Sequence, residues 1–316
     1  MSVIAPAAAA ASSETSRQPQ RRRAAQRRAA NRNQTRMSYA FVSGYTLLTI
    51  AFGLVPTLFA LFLSVTADGR FVGIDNFTRV LDDFRFWPAV GHVSIFLVVW
   101  LVSLLVIVVF LAVAVHAIGS RWVSSSLRFL YYVPGAIAGA SSVVLWLFVL
   151  DPSVSPVSWL LRLMGAETLV QTVAPQNLPA IFAVIAFLSG AGGWIVVMYG
   201  ALNNIPTEVM EASRIDGAGA VQTAIHIQLP MLRKWISYMA IMSLAAGTQL
   251  FVEPKVLSQA TKGVVPNDYS LNQLAYQYAF KFFDPNGSAA IAVMLLVVSL
   301  GLSIFFVVKG GLFERD

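Results

Sequence analysis

Glu211-Ala-Ser-Arg-Ile-Asp-Gly-Ala-Gly-Ala-Val-Gln-Thr-Ala-Ile-His-Ile-Gln-Leu-Pro230 is a polar interruption between two long apolar segments. Just upstream, Pro206-Thr207 predicts the start of a short helix. Thr207 would be its N-cap and Glu208 would sit in the first turn, where a carboxylate favours the positive end of the helix dipole. Asp216-Gly217 predicts the stop, because glycine accepts the left-handed conformation common just past a helix end. A second short helix is expected from about Ala218 to Ile227, with Pro230 turning the chain again. Met210, Ile215, Val221 and Ile225 would leave apolar surface for a partner's groove. The plainer reading is an ordinary hairpin in which Glu211 pairs with Arg214 at i,i+3, worth roughly 0.2–0.5 kcal/mol.

Outward from this stretch the chain is a membrane sequence. Of 316 residues 57% are hydrophobic and only 12% charged, with mean hydropathy +0.70, too little charge to coat a soluble domain of this length. There is no cysteine, so disulfides and thiolate metal sites are excluded, and the three histidines, His92, His116 and His226, lie in unrelated segments. Apolar runs of about 20 residues can cross a hydrocarbon core of roughly 30 Å as helices. Six qualify: Ser38–Val65, Ala89–Ile118, Leu127–Leu150, Leu178–Leu202, Trp235–Leu257 and Ser288–Val308. Pro134, Gly135 and Gly139 interrupt the third and read as hinge or packing residues.

Basic residues flanking spans stay on the cytoplasmic side. Eight arginines between Arg17 and Arg36 precede the first span, which places the N-terminus inside. Threading from there also puts Arg121, Arg128, Arg214, Arg233, Lys234, Lys309 and Arg315 inside, and Asp68, Asp75, Asp82, Asp83 and Asp151 outside. Both termini are then cytoplasmic, and so is the Glu211 loop. The basic tail, residues 1–37, lacks the short apolar region and cleavage site of a signal peptide. It reads as a disordered arm that fixes topology, with no role in nucleic-acid binding. Residues 38–316 form the transmembrane domain, and residues 206–230 are its cytoplasmic element.

The Glu211–Pro230 stretch resembles the "EAA" signature of binding-protein-dependent ABC import permeases, in which Glu-Ala-Ala, Asp-Gly-Ala and an Ile-x-Leu-Pro exit recur at this spacing. Ser213 departs from it in place of the second alanine, and Ala224 stands where an aromatic residue is usual. The resemblance runs from about Tyr39 to the C-terminus and is of the carbohydrate-uptake type. Phe71-Val72-Gly73-Ile74-Asp75-Asn76-Phe77, the following Phe86-Trp87, Asp151-Pro152 and Ile205-Pro206 fall in the family's order. His92-Val93 replaces the family's Asn-Thr pair, and Gln259–Asp268 replaces a glycine-rich loop.

The resemblance implies an all-α integral membrane protein of about six transmembrane helices with the type I ABC importer permease fold, in a bacterial plasma (inner) membrane. It implies a non-catalytic transport subunit for a sugar, oligosaccharide or polyol conjugate. Its partners would be a second permease in a heterodimer, two ATPase subunits and an extracytoplasmic solute-binding protein. Glu211, Ala212, Asp216, Gly217, Ala218 and Pro230 would form the ATPase-coupling set, with Glu211 facing a basic residue of the ATPase. No Gly-x-x-x-x-Gly-Lys-Ser/Thr phosphate loop occurs in the chain, so this chain is expected to carry no cofactor, with ATP and Mg bound by the partner ATPase.

Polar or small residues at membrane depth point to a substrate path. In the fourth span, Ser189-Gly190-Ala191-Gly192-Gly193-Trp194 offers small residues and an indole suited to stacking on a sugar ring, or else simple close helix packing. In the fifth, Ala246, Gln249 and Glu253 are expected on one helical face, with Gln249 binding hydroxyls and Glu253 at the cavity mouth. A surface ion pair between Glu253 and Lys255 is the plainer alternative. An ion-gradient-driven secondary transporter is the competing class. It predicts internal repeats and midplane charges, whereas this chain shows no clear repeat and its charges cluster at the span ends.

Overall fold

A computed structural model describes residues 37–137 and 139–309, so the basic tail and the C-terminal Arg315 lie outside the described residues. The chain divides after Phe59. On the first side of that division lies most of helix α1, Met37–Ser64, uncharged and mainly apolar, carrying a π-helical turn at Ile50–Leu54. Beyond it come a short antiparallel ribbon, β1 Thr66–Ala67 and β2 Arg70–Phe71, then α2, Asp75–Leu81. Helix α3 spans Phe86–His116 with a π turn at Leu104–Val108. It starts earlier than predicted because Pro88, having no N–H to place, fits a first turn.

The predicted third span is two helices, α4 Arg121–Ala136 and α5 Gly139–Leu150, whose axes lie 102° apart. Pro134 is not the break, since α4 runs past it. Instead Ile137 turns extended, with φ −92° and ψ 107°. Short helices α6 Ser158–Leu163 and α7 Leu169–Thr172 lead to α8, Leu178–Asn203. After the Glu211 element come α10 Ala220–Gly247, α11 Val252–Ala260, α12 Leu271–Phe280 and α13 Pro285–Lys309, with α9 being Thr207–Ile215. Four of these helices are long and apolar enough to cross a membrane, or six spans if each bent pair counts as one.

The main core lies between α3, α8 and α10, where Phe96, Trp100, Leu104, Ile185, Ile195, Met198 and Met239 are buried against one another. Because lipid is as apolar as leucine, helices here are held by close packing, which small residues permit. At the α4–α8 crossing, a Cβ on Gly192 would collide with the backbone of Tyr131 and Tyr132, and one on Gly135 would sit 2.5 Å from the Ser189 carbonyl. The fourth-span small residues therefore act first as a packing seam, while the Gly190 and Gly193 sites stay open.

The predicted fifth span also needs correction, at both ends. It begins at Ala220, so the second coupling helix is continuous with it and Pro230 does not turn the chain. A π segment at Ala224–Gln228 is the reason: Leu229 N–H reaches back to the Ala224 carbonyl, and this wider turn accommodates a proline that would clash in a regular α-helix. At the other end α10 stops at Gly247, and α11 follows at 42°. Ala246, Gln249 and Glu253 thus do not share one helical face. Pro254 is tolerated because it falls in the first turn of α11. Asn272 Nδ2 donates to the Thr248 carbonyl at 2.8 Å, satisfying backbone that the break sets free.

Candidate functional site

Helix α9 begins at Thr207, with Pro206 in the cap position and no side-chain cap bond, so Thr207 is not the N-cap. Its end is a complete Schellman closure. Ala218 N–H donates to the Ser213 carbonyl at 2.9 Å, and Gly217 N–H donates to the Arg214 carbonyl at 3.1 Å. Gly217 has φ +75°, which a side chain resists, although a Cβ there would meet nothing within 4 Å. The Asp-Gly-Ala run therefore has a backbone reason of its own. Gly219 then opens the next helix, and Gln222 Oε1 accepts from its N–H at 3.0 Å.

The element is two-sided. Ser213 is buried and its hydroxyl donates to the Met210 carbonyl at 2.8 Å, so serine in place of alanine is satisfied locally. Met210 turns inward against the main core and is not part of the outer surface. Exposed on the element are Glu211, Ala212, Arg214 and Asp216, together with Ile215 at 86% exposure, Val221 at 71% and Ile225 at 52%; of these, Arg214, Val221 and Ile225 also border a cavity behind it. Glu211 and Arg214 form no ion pair, although their spacing allows one. The face presents a carboxylate that is unpaired among the described residues beside exposed isoleucine and valine side chains, a surface suited to a protein partner with a basic group.

The other predicted site residues are not gathered here. Trp194 is half-buried on α8 and meets Tyr238 of α10 edge-on, with ring centroids 5.8 Å apart. Gln249 is exposed in the break between α10 and α11, and Glu253 lies in the first turn of α11. Lys255 does not pair with Glu253. Its ammonium lies 4.8 Å from the centroid of the Tyr276 ring, a cation–π contact.

At the opposite end of the spans is a bonded cap that the sequence reading did not single out as a unit. Asp83 accepts from Arg85 through Nε at 2.9 Å, Nη2 at 2.5 Å and the backbone N–H at 2.9 Å, and from the Tyr278 hydroxyl at 2.7 Å. The Arg85 guanidinium lies over the Phe282 ring, 4.7 Å from its centroid. These bonds hold the Asp83 carboxyl at about 2, below its ordinary 3.8. Burial and the Asp83 anion push the Tyr278 hydroxyl up to about 12. Asn76 Nδ2 donates to the Ser64 and Thr66 carbonyls, Asn286 Nδ2 to Leu63 and Thr66, and Arg79 pairs with Asp284 at 2.8 Å. Nearby, two departures from the family pattern meet: His92 stacks on Tyr269, just past the Gln259–Asp268 segment, with ring centroids 4.4 Å apart.

With this geometry in view, comparison with known proteins is decisive on the class. The family described as binding-protein-dependent transport system inner membrane component matches residues 105–310, and the chain belongs to it. It is a membrane permease of the ABC importer kind, with the type I permease fold. Among its relatives is the probable ABC transporter permease protein YurN of Bacillus subtilis (strain 168), 26% identical over 82% of this chain and 90% of that protein. Another is the multiple sugar-binding transport system permease protein MsmF of Streptococcus mutans, 29% identical over 74% of this chain and 79% of its own length. The fold matches a chain in the crystal structure of a bacterial ABC transporter involved in import of the acidic polysaccharide alginate, with TM-score 0.74, 19% identity, and 90% and 98% of the two chains covered.

Proposed function

We propose that this chain is one of two permease subunits of an ATP-driven importer in a bacterial inner membrane, with both termini and the Glu211 element on the cytoplasmic side. Two copies of a separate ATPase, which bind ATP and Mg, engage the element, and an extracytoplasmic solute-binding protein delivers cargo at the opposite end. The cargo is a sugar, oligosaccharide or polyol conjugate, a class supported by relatives such as the multiple sugar permease. The observation that carries the reading is the outward face of α9. It holds an exposed Glu211, unpaired among the described residues, beside Ile215 on a helix whose exit is fixed by Gly217.

Transport runs by alternating access. Closure of the ATPases pulls α9, the Gly217 turn passes the pull to α10, and because α10 runs from Ala220 past Pro230 without a break, the pull reaches the membrane core. Gln249, at the break where α10 ends, and Trp194, paired with Tyr238 of α10, are the side chains placed to meet substrate as that helix moves. Glu211, Ala212, Asp216, Gly217, Ala218 and Pro230 carry the coupling, Pro230 by sitting directly after the π turn that keeps α10 continuous. The test is uptake into vesicles containing the complex purified with its partner subunits, after a ligand screen on the binding protein. Uptake that needs internal ATP and ignores an ionophore supports the reading. Uptake driven by an ion gradient without ATP overturns it in favour of a secondary transporter.

A further inference from the structure

Behind the coupling element is a cavity of about 950 Å³, between the last turns of α3 and the start of α10. Its walls are apolar, formed by Val106 and Phe110 on one side and Ala224 and Ile225 on the other. Each wall includes residues of a π turn, Leu104–Val108 in α3 and Ala224–Gln228 in α10. Val106 and Phe110 are also 62% and 68% exposed, so the cavity opens sideways on an exposed apolar face of α3, a helix long and apolar enough to span a membrane. The charged and titratable side chains lining it are Arg214 and His116, with no carboxylate among the lining residues. Arg214 is exposed and makes no ion pair among the described residues.

An apolar chamber that opens on an exposed face of a candidate span, and whose lining includes an arginine with no ion pair among the described residues, complements an amphiphile with a negative head. We infer that an anionic phospholipid of the inner leaflet occupies this cavity, with an acyl chain between Phe110 and Ile225 and its phosphate at Arg214. This rests on the permease reading for its orientation, since the element must face the cytoplasm. The lipid fills the space between α3 and the coupling element, so its occupancy sets how stiffly motion of α9 reaches the spans. A basic group at an anionic surface attracts such headgroups, and a zwitterionic headgroup gains no comparable attraction.

The test is retention of lipid by the full-length chain purified with its partner subunits, read by native mass spectrometry after exchange into phosphatidylglycerol or phosphatidylcholine. The wild type is expected to retain phosphatidylglycerol preferentially. Arg214→Gln should lower that retention about fivefold, the ratio that one basic residue at an anionic surface supplies. Arg214→Lys should keep it, and Ala224→Phe, which fills the chamber, should lower retention of both lipids. Inorganic phosphate added in excess should displace nothing. Should Arg214→Gln fail to assemble, the two lipids compared on the wild type and on Arg214→Lys still decide. Equal retention of the two lipids overturns the proposal. So does a photo-crosslinker at Ile225 that captures another subunit and no lipid. Loss of the ATPase from the wild-type preparation would count against the permease reading alone, because lipid retention is scored separately.

Discussion

Arg85 and Arg214 each lie within three residues of a carboxylate, Asp83 and Glu211, yet the fold treats the two pairs in opposite ways. At one end of the spans Asp83 accepts four hydrogen bonds, three from Arg85 and one from Tyr278, which lies 195 positions away. At the other end Glu211 and Arg214 stand exposed and, among the described residues, unpaired. A charge satisfied within the chain stabilises structure and offers little to a partner, whereas an unpaired charge on a rigidly capped helix adds little stability and remains available for recognition. The cap is therefore read as a clamp that ties residues 75–85 to 271–286, and the Glu211 element as a contact.

The difference predicts that variants at the two ends fail in different assays. Asp83→Ala should have the largest effect on stability, on the order of 1–3 kcal/mol, because Arg85 and Tyr278 lose their acceptor together. Thermal unfolding in detergent reads this as a lowered midpoint, while the amount of co-purified ATPase per folded molecule stays the same. Gly217→Val should cost less, about 1 kcal/mol, since the strain is confined to one left-handed residue in open space. Its main effect is a steep fall in transport, with ATPase activity poorly stimulated by loaded binding protein. Gly217→Asn should be milder on both counts, because asparagine tolerates that region better. Equal, near-normal transport by the two variants would remove the Schellman closure from the coupling account.

The smallest effect expected is that of pH on the clamp. Asp83 titrates at about 2 instead of 3.8, a depressed value, so its contribution is fully present above about pH 4 and is lost only as pH falls towards 2. Tyr278, raised to about 12, keeps its proton through the same range. Hydrogen exchange of residues 75–85 and 271–286 should be unchanged between pH 8 and pH 5 once intrinsic exchange rates are divided out. Loosening within that window would show that other groups hold the cap.

Much of the architecture was legible because lipid demands long apolar runs, and the Asp216-Gly217 turn was legible because few residues accept a positive φ. What escaped the sequence was how helices continue or break. Pro230 reads as a breaker, yet a π turn ahead of it lets α10 run on, and no residue type in Ala224–Gln228 marks that wider turn. The third span was half legible: Gly139, one of the expected hinge or packing residues, stands at the break with φ +64°, whereas Pro134 remains inside a helix and nothing in Ile137 announces its extended turn. The clamp was hidden for a different reason: its partners Asp83 and Tyr278 are far apart in sequence and neither belongs to a motif. Asn76 was visible within a recurring segment, but its task of satisfying the Ser64 and Thr66 carbonyls appears only in three dimensions. For the substrate path, the fourth-span glycines could be read as path or packing, and Gly192 is settled as packing by its contact with Tyr131.

The central claim, that the outward carboxylate of α9 is a contact for a separate ATPase, is tested most directly by Glu211→Ala in the purified assembly. The side chain is exposed and has no ion pair among the described residues, so the change should alter stability by less than about 0.5 kcal/mol and leave membrane insertion intact. The measurement is the amount of ATPase retained on purification, together with ATP-dependent uptake in vesicles. The account predicts that both fall while the thermal midpoint stays in place; normal retention and normal uptake would contradict it.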